Sequence, residues 1–199
     1  MNILKLSQER FDELVSTLKV GGVLAVPTDT IYGLAADALN PQAVQKIFEI
    51  KGRPEEKALP IFVGSVEEAE KLAEIDERRK KFLEKVWPGK VTCVLAAKKS
   101  GTVALRIPNH DFILKLLRGF GGPLTGTSAN VSDKPGHTKI SEVLSEWQTL
   151  NVDHRPDIIV DVGDLPESLP STVVDLTLWP PEILRQGAVS EKELLSYIE

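Results

Sequence analysis

Residues 41–63 read PQAVQKIFEIKGRPEEKALPIFV, and this stretch decides the fold. Its first ten residues repeat Val44, Ile47 and Phe48 at helical spacing behind a proline, which is favoured in the first turn of a helix. A polar turn, KGRPEEK, separates this predicted helix from ALPIFV, an apolar run typical of a buried strand. A helix followed by a strand is the repeating unit of an α/β protein.

The same alternation continues along the chain. Strand-like runs such as VLAVP, VTCVLAA and DIIVDV alternate with amphipathic segments such as SQERFDELVSTLKV, HDFILKLLRG and KISEVLSEW. The 199 residues, 42% of them hydrophobic, are enough to bury the core of one such unit. Since the sequence contains no internal repeat and no long linker, we predict a single α/β domain over residues 1–199.

Composition narrows the classes of function. The net charge of −5 and the pI of about 5.4 argue against a protein that holds nucleic acid on a broad cationic surface. The single cysteine, Cys93, excludes an internal disulfide and a cysteine-based zinc site. The N-terminal MNILKLSQER lacks the apolar core of a secretory signal, and no run approaches the roughly 20 apolar residues of a membrane span. We therefore expect a cytoplasmic protein.

Polar segments marked by glycine and proline lie at the ends of the predicted strands or where a strand meets a helix. They are PTDTIYG, KGRPEEK, TVALRIPNH, TGTSANVSDKPG, PSTVVD and LRQG. In open α/β sheets, ligands bind in crevices outside the strand ends. We therefore expect these six segments to converge on one cleft.

Five cations in these segments are candidate anion-binding residues: Lys51, Arg53, Lys57, Arg106 and Arg185. Arginine binds phosphates and carboxylates with a planar guanidinium, and lysine binds them as a mobile point charge. A cation on a surface turn also serves solubility alone, and the two glutamates of KGRPEEK could neutralise that turn. Both interpretations stay open on the residues alone.

The TGTSANVSDKPG loop is a candidate phosphate or ribose site. It carries hydroxyls on Thr125, Thr127, Ser128 and Ser132 and an amide on Asn130, groups that hold phosphates in glycine-rich loops. An ordinary Asx turn or helix cap has a similar composition, so this alternative stays open. Neither GxxxxGK[ST] nor GxGxxG occurs in the sequence.

Hydrolytic and metal-dependent chemistry have no support in the sequence. GxSxG and HExxH are absent, and the three histidines, His110, His137 and His154, all lie in polar loops. We therefore expect no metal site built from protein side chains. Mg²⁺ carried by a nucleotide is the expected metal, because it keeps water and phosphate oxygens as ligands.

Six segments together resemble a known family. They are PTDTIYGL (27–34), KGRPEEKALPIFV (51–63), WPGKVTCVL (87–95), LRIPNH (105–110), PLTGTSANVSDKPG (123–136) and PSTVVDLT (170–177). In order and spacing they resemble the YrdC/TsaC family of threonylcarbamoyl-AMP synthases, over roughly residues 7–189, in its short, single-domain form. The resemblance implies a twisted open sheet of mixed strand direction, flanked by helices, with a positively charged cleft.

The resemblance also implies a reaction. L-threonine and bicarbonate form N-carboxythreonine, whose carboxylate attacks the α-phosphate of ATP to give threonylcarbamoyl-AMP and pyrophosphate. Such an enzyme is a nucleotidyltransferase that uses Mg²⁺ with ATP. Partner proteins then transfer the threonylcarbamoyl group to N6 of an adenosine in ANN-decoding tRNAs.

The resemblance implies two sets of site residues. The ATP-binding set is Lys51, Arg53, Lys57, Thr102, Ser128, Asn130 and Arg185. The L-threonine-binding set is Thr30, Arg106 and Ser171, with Arg106 on the α-carboxylate. Lys51 and Arg53 are also implied to be catalytic, since fixed cations stabilise charge that develops on the phosphates. Two positions depart from some relatives: Phe62 replaces a histidine near threonine, and Gly136 replaces a serine near ATP.

Three alternatives remain. An RNA-binding module would contact tRNA or double-stranded RNA, but the acidic pI and the aromatic content of 6% argue against stacking on RNA. A carbamoyl-transfer domain of the kind found in hydrogenase maturation proteins shares parts of these motifs but lies within a larger chain. A related family of unknown activity has an altered SAN loop, whereas TSAN is intact here.

Overall fold

A computed structural model describes residues 2–5, 10–54 and 58–198. The helices in these ranges are α1 (Phe11–Lys19), α2 (Pro41–Lys51), α3 (Val66–Leu72), α4 (Glu77–Val86), α5 (Asp111–Phe120), α6 (Ile140–Gln148) and α7 (Glu191–Leu195). The strands are β1 (Asn2–Lys5), β2 (Leu24–Val26), β3 (Gly33–Ala35), β4 (Ile61–Phe62), β5 (Val91–Ala96), β6 (Thr102–Arg106), β7 (Leu124–Thr125), β8 (Thr127–Ser128), β9 (Ile158–Asp161), β10 (Thr172–Asp175) and β11 (Glu182–Arg185). Within the described ranges, no helix has the length and apolar character needed to cross a bilayer.

The strands form two open sheets. One has the order β1-β9-β2-β3-β8 and the other the order β11-β10-β5-β6-β4-β7. Both mix directions: β1 runs parallel to β9 and β10 parallel to β5, while β2–β3 and β5–β6 are antiparallel. The predicted open mixed α/β architecture is confirmed, with the strands divided between two sheets.

The chain passes from one sheet to the other at Gly126. Strand β7 pairs with β4 in the six-stranded sheet, and β8 pairs with β3 in the five-stranded sheet. A side chain at Gly126 would place its Cβ 2.4 Å from the ring of Phe62. Only glycine lets the backbone approach this ring, so Gly126 permits the crossing.

Helices cover both faces of the five-stranded sheet. Leu24 and Val26 of β2 face a core cluster that includes α1 and α5, while Ala25 faces a second cluster with α2 and α6. Alternate residues of a strand point to opposite faces, which explains the all-apolar sequence LAV.

The six-stranded sheet buries one face and uses the other for a cleft. Cys93 and Leu95 of β5 pack into a third core cluster, together with α3, α4 and α7. Thr92 and Val94, the alternate residues of the same strand, line the cleft instead. The sheet therefore supplies the floor of the cleft.

Helix α2 extends one residue further than the predicted segment. Asn40 caps its start, where Oδ1 accepts hydrogen bonds from the backbone N–H groups of Gln42 at 3.0 Å and Ala43 at 3.4 Å. Gly52, with φ of 56°, ends the helix in the left-handed conformation. Lys51, which the sequence placed in the polar turn, is therefore the last residue of the helix.

The other differences from the predicted elements are short strands. Strands β1 and β3 have no counterpart among the predicted elements, and the predicted strand ALPIFV contributes only Ile61 and Phe62 to a ladder. β3 consists of Gly33, Leu34 and Ala35, which are all buried and carry no alternating pattern. This strand forms because it pairs with β2 and β8, and not because its residues have a high intrinsic β-propensity.

Candidate functional site

A cleft of about 400 Å³ lies over the exposed face of the six-stranded sheet. Its lining includes Thr30, Arg53, Arg106, Ser128, Ser171 and Arg185. Each of these residues comes from a different one of the six polar segments, so the predicted convergence on one cleft is confirmed. The described lining residues include four cations, Arg53, Arg106, Lys134 and Arg185, and no carboxylate. The predicted positive charge of the cleft as a whole stays a prediction.

Arg106 is fixed at one end of the cleft. Its Nη2 donates to Asp29 Oδ1 at 2.6 Å, Nη1 to Thr30 Oγ1 at 3.3 Å, and Nε to the carbonyl oxygen of Gly89 at 2.8 Å. Burial lowers the pKa of the Arg106 guanidinium, and Asp29 opposes this effect. Three of the five N–H donors of the guanidinium are thus used within the protein, which leaves two for a ligand.

The PTDT segment is held by its own side chains. Thr28 Oγ1 donates to the carbonyl oxygen of Ile31 at 2.7 Å and accepts from the backbone N–H of Thr30 at 3.1 Å. The second carboxylate oxygen of Asp29 accepts from the backbone N–H of Asn109 at 3.1 Å. These contacts hold Thr30 beside Arg106, where both line the cleft.

Lys51 is 2% exposed and lines a smaller cavity beside the cleft, not the cleft itself. Its Nζ donates to the carbonyl oxygens of Ser128 at 2.6 Å and Asn130 at 2.7 Å. The backbone carbonyl of Lys51 accepts from Ser132 N at 2.9 Å. The ammonium therefore holds the TSAN loop. Burial, helped by the charge of Arg53, lowers the pKa of Lys51 to about 8 from 10.5, and Glu146 opposes this shift.

A smaller cavity of about 210 Å³ adjoins the cleft. It is lined by Lys51, Arg53, Ser128, Asn130, Ser132, Asp133 and Lys134. Three of its buried polar atoms, Arg53 Nε, Asn130 Oδ1 and Ser132 Oγ, have no hydrogen-bond partner among the described residues. Because buried polar groups are usually satisfied, these atoms indicate a place for a polar ligand or water.

Arg53 borders both cavities. Its Nη2 donates to the carbonyl oxygen of Ala58 at 3.0 Å, so the guanidinium is directed by the chain that leads into β4. Burial lowers the pKa of Arg53; Asp133 opposes this shift and Arg185 adds to it. Arg53 is thus placed to contact a ligand that extends from the cleft into the smaller cavity.

Two hydroxyls form a pair on the floor of the cleft. Thr92 Oγ1 and Ser171 Oγ are 2.8 Å apart, and Arg185 Nη2 donates to the carbonyl oxygen of Ser171 at 2.8 Å. Thr92 is not among the predicted site residues, since it lies within the apolar run VTCVLAA. Its position as a polar residue alternating with Val91 and Cys93 was the available signal.

A family model for Sua5/YciO/YrdC, which carries the description "Telomere recombination", matches residues 16–187. The chain belongs to the Sua5/YciO/YrdC family. The residues that the family model matches cover most of the range, roughly 7–189, over which the sequence motifs resemble that family.

Named family members support this placement. The chain is 36% identical over 209 residues to threonylcarbamoyl-AMP synthase of Pyrococcus abyssi, covering 98% of this chain and 60% of that protein. It is 32% identical over 206 residues to a putative threonylcarbamoyl-AMP synthase of Methanocaldococcus jannaschii, covering 98% and 95%. The structure of P. abyssi Sua5 complexed with L-threonine superposes with a TM-score of 0.89 at 34% identity, covering 99% of this chain and 59% of that one. The chain thus spans about 60% of the length of the P. abyssi relative.

Not every predicted site residue of this Sua5/YciO/YrdC member lies in the cavities. Thr102 is exposed at the start of β6, opposite Ala96, and lines neither cavity. It is on the same strand face as Arg106, four residues away, so it lies roughly 13 Å further along the strand. Lys57 is outside the described residues. The roles predicted for these two residues stay predictions.

The two departures from some Sua5/YciO/YrdC relatives both line the cleft. The ring of Phe62 lies under Arg106, whose Cζ is 5.9 Å from the ring centroid. Phe62 therefore supplies an apolar and cation–π contact where a histidine would supply a titratable one. At Gly136, an added Cβ would be 2.4 Å from Ile31 Cδ1, so a serine would require Ile31 to move.

Proposed function

We propose that this chain is a threonylcarbamoyl-AMP synthase that joins L-threonine, bicarbonate and ATP. The observation that carries the proposal is a cleft that adjoins a smaller cavity: Arg106 and Thr30 line the cleft, and Lys51 lines the smaller cavity beside Arg53. An amino-acid carboxylate and a triphosphate are anions that suit these two places. The names of the relatives and the L-threonine complex of P. abyssi Sua5 support the assignment.

The chemistry needs no side-chain nucleophile. The threonine nitrogen forms a bond to the carbon of bicarbonate, and water leaves to give N-carboxythreonine. An oxygen of the new carboxylate then attacks the α-phosphorus of ATP. The bond from that phosphorus to the bridging oxygen breaks, and pyrophosphate leaves with the electron pair. We expect ATP to enter as its Mg²⁺ complex, so the metal is part of the substrate.

The Arg106 end orients threonine. Two unused N–H groups of the guanidinium bind the α-carboxylate, while the hydroxyls of Thr30 and Ser171 contact the rest of the amino acid. Phe62 and Ala104 add apolar walls to this part of the cleft. Fixing the amine in this way lowers the entropic cost of its reaction with bicarbonate.

The Arg53 end stabilises the phosphates. Arg53 Nε and Ser132 Oγ are buried donors that a phosphate oxygen would satisfy. Lys51 acts there through its charge, because two of its N–H groups already bind loop carbonyls. A fixed positive charge in a partly dry cavity stabilises the negative charge that develops on departing pyrophosphate.

The product is a mixed anhydride and suits transfer to an amine. We propose partner proteins that deliver the threonylcarbamoyl group to tRNA in the cytoplasm, where ATP and tRNA occur together. The cations converge on a cavity of about 400 Å³, which suits small molecules better than an RNA duplex. This geometry favours the synthase over the RNA-binding alternative.

Pyrophosphate release by the purified protein tests the proposal. Release from ATP should require both L-threonine and bicarbonate, and mass spectrometry should detect threonylcarbamoyl-AMP. Lys51→Met should abolish most of the release, whereas Lys46→Met, on the exposed face of the same helix, should not. Equal release without threonine, or no release under any condition, would refute the synthase activity.

A further inference from the structure

Lys134 lies where the two cavities meet. It lines both of them, a property that it shares with Arg53 and Ser128. Its side chain is 58% exposed, unlike the buried Lys51. A ligand that extends from the cleft into the smaller cavity would therefore pass an accessible ammonium group.

The side chain of Lys134 is held loosely, and its backbone is held firmly. The backbone carbonyl accepts from Asn130 Nδ2 at 2.8 Å, and the backbone N–H donates to the carbonyl of Val131 at 3.2 Å. The Nζ atom has an ion pair with Glu146 Oε1 at 3.3 Å. An ion pair with one exposed partner contributes little to stability, so the ammonium can exchange its partner at low cost.

Glu146 does not depend on Lys134. Its side chain is 7% exposed, and it also accepts from Val131 N at 3.1 Å and contacts His137 Nε2 at 3.3 Å. The carboxylate therefore keeps a backbone and a side-chain partner when the ammonium leaves. Buried carboxylates need such partners, and these two meet that need.

We propose that Lys134 is a further nucleotide-binding residue, whose ammonium leaves Glu146 for the outer phosphates of ATP. This inference rests on the proposed function. The smaller cavity is lined by three cations, Lys51, Arg53 and Lys134, and one carboxylate, Asp133, among the described residues. Lys134 is the exposed member of this set, and a flexible lysine suits a phosphate as a mobile point charge.

Calorimetric titration with Mg-ATP tests the inference independently of turnover. Lys134→Gln should weaken ATP binding about tenfold, since it removes one charge-assisted contact, and should leave L-threonine binding unchanged. Lys134→Arg should retain most of the affinity. Lys139→Gln is the matched control, because Lys139 is exposed on the same segment and lines neither cavity.

A second variant separates phosphate contact from support of the loop. Glu146→Gln keeps a carbonyl oxygen for Val131 N but removes the charge that holds Lys134. If Lys134 binds phosphate, this variant should bind ATP at least as tightly as the wild type. If the ion pair only supports the loop, Glu146→Gln and Lys134→Gln should weaken ATP binding equally, and the inference is then wrong.

The wild-type titration distinguishes the two levels of failure. A wild-type protein that binds no ATP would overturn the proposed function and this inference together. Equal ATP affinity of the wild type and Lys134→Gln would overturn only the role of Lys134. The role of Lys134 would be supported if Lys134→Gln binds ATP more weakly and its affinity depends less steeply on salt concentration. The salt dependence should fall because salt screens the charge contact that this variant lacks.

Discussion

The Arg106 end of the site lies in the cleft and the Lys51 end in the adjoining smaller cavity, and the buried cations at these two ends have different partners. Arg106, 3% exposed, has the carboxylate of Asp29 at 2.6 Å. Lys51, 2% exposed, has two carbonyl oxygens within 2.7 Å. A carboxylate cancels a cation's charge, whereas carbonyl dipoles solvate it without cancelling it.

This difference implies two kinds of anion recognition. At the Arg106 end, the ion pair fixes the direction of the remaining N–H groups but adds little net charge. At the Lys51 end, the ammonium beside Arg53 binds carbonyl oxygens that carry no formal charge, so below its pKa of about 8 it keeps a positive charge. The first arrangement suits a small carboxylate that must be oriented, and the second suits a triphosphate whose charge must be stabilised.

The largest effect should come from removing the carboxylate partner. Asp29→Ala leaves the buried Arg106 charge unpaired, and we expect the free energy of unfolding to fall by about 3 kcal/mol. Urea unfolding measures this change, with Asp12→Ala on the exposed face of α1 as the control. A loss below about 1 kcal/mol would show that the Gly89 and Thr30 contacts suffice to hold the guanidinium.

Lys51→Met should affect ligand binding more than stability, the opposite of Asp29→Ala. We expect ATP affinity to fall about 10- to 100-fold, because a charge-assisted phosphate interaction is lost. The free energy of unfolding should change by only about 1 kcal/mol, since relief of the desolvation cost offsets two unpaired carbonyls. Titration calorimetry and urea unfolding test the two halves. If Lys51→Met lowered the free energy of unfolding as much as Asp29→Ala, the contrast between the two ends would disappear.

The pKa of Lys51 adds a pH test. The folded protein loses this proton near pH 8, because burial lowers the pKa, whereas the unfolded chain keeps it to about 10.5. Between these values the unfolded state binds more protons, so stability should rise with pH. ATP affinity should fall over the same interval, since the ammonium loses its charge. Each trend is measured as the difference between the wild type and Lys51→Met across this pH interval. Both differences should stay constant with pH if the pKa of Lys51 is close to its ordinary value of 10.5.

The smallest effect concerns the floor of the cleft. Thr92→Val removes the hydroxyl that pairs with Ser171, and we expect the free energy of threonine binding to weaken by about 1 kcal/mol. Calorimetric titration with L-threonine measures the change. Thr149→Val is the matched control, because Thr149 is an exposed threonine that lines neither cavity and belongs to neither predicted site set. Equal affinities of the two variants would remove Thr92 from the site.

Much of the fold was predictable because its signals are local. The helical spacing of Val44, Ile47 and Phe48 predicts α2, and the apolar run VTCVLAA predicts β5. The convergence of the polar segments follows from a general property of open sheets, that strand ends meet at common edges. The division into two sheets was not predictable, because it depends on the pairing of the two-residue strands around Gly126.

The environment of each cation was not predictable. Residue types indicate that Lys51 and Arg106 can bind anions, but not which one has a carboxylate partner. The carboxylate of Asp29 is 77 positions from Arg106, and the carbonyls that bind Lys51 are 77 and 79 positions away. Contacts at such separations depend on the tertiary fold, which no local pattern encodes.

The bonds between Lys51 and the TSAN loop have a consequence for folding kinetics. They close the chain over 77 and 79 residues, and the crossing at Gly126 ties the same loop to both sheets. Non-local contacts form late in folding, because the chain must lose the entropy of closing a long loop before these contacts can stabilise it. We therefore expect the proposed nucleotide pocket to be among the last parts of the domain to form. Competence to bind ATP would then report that folding is complete, and bound ATP would stabilise the entire domain by mass action.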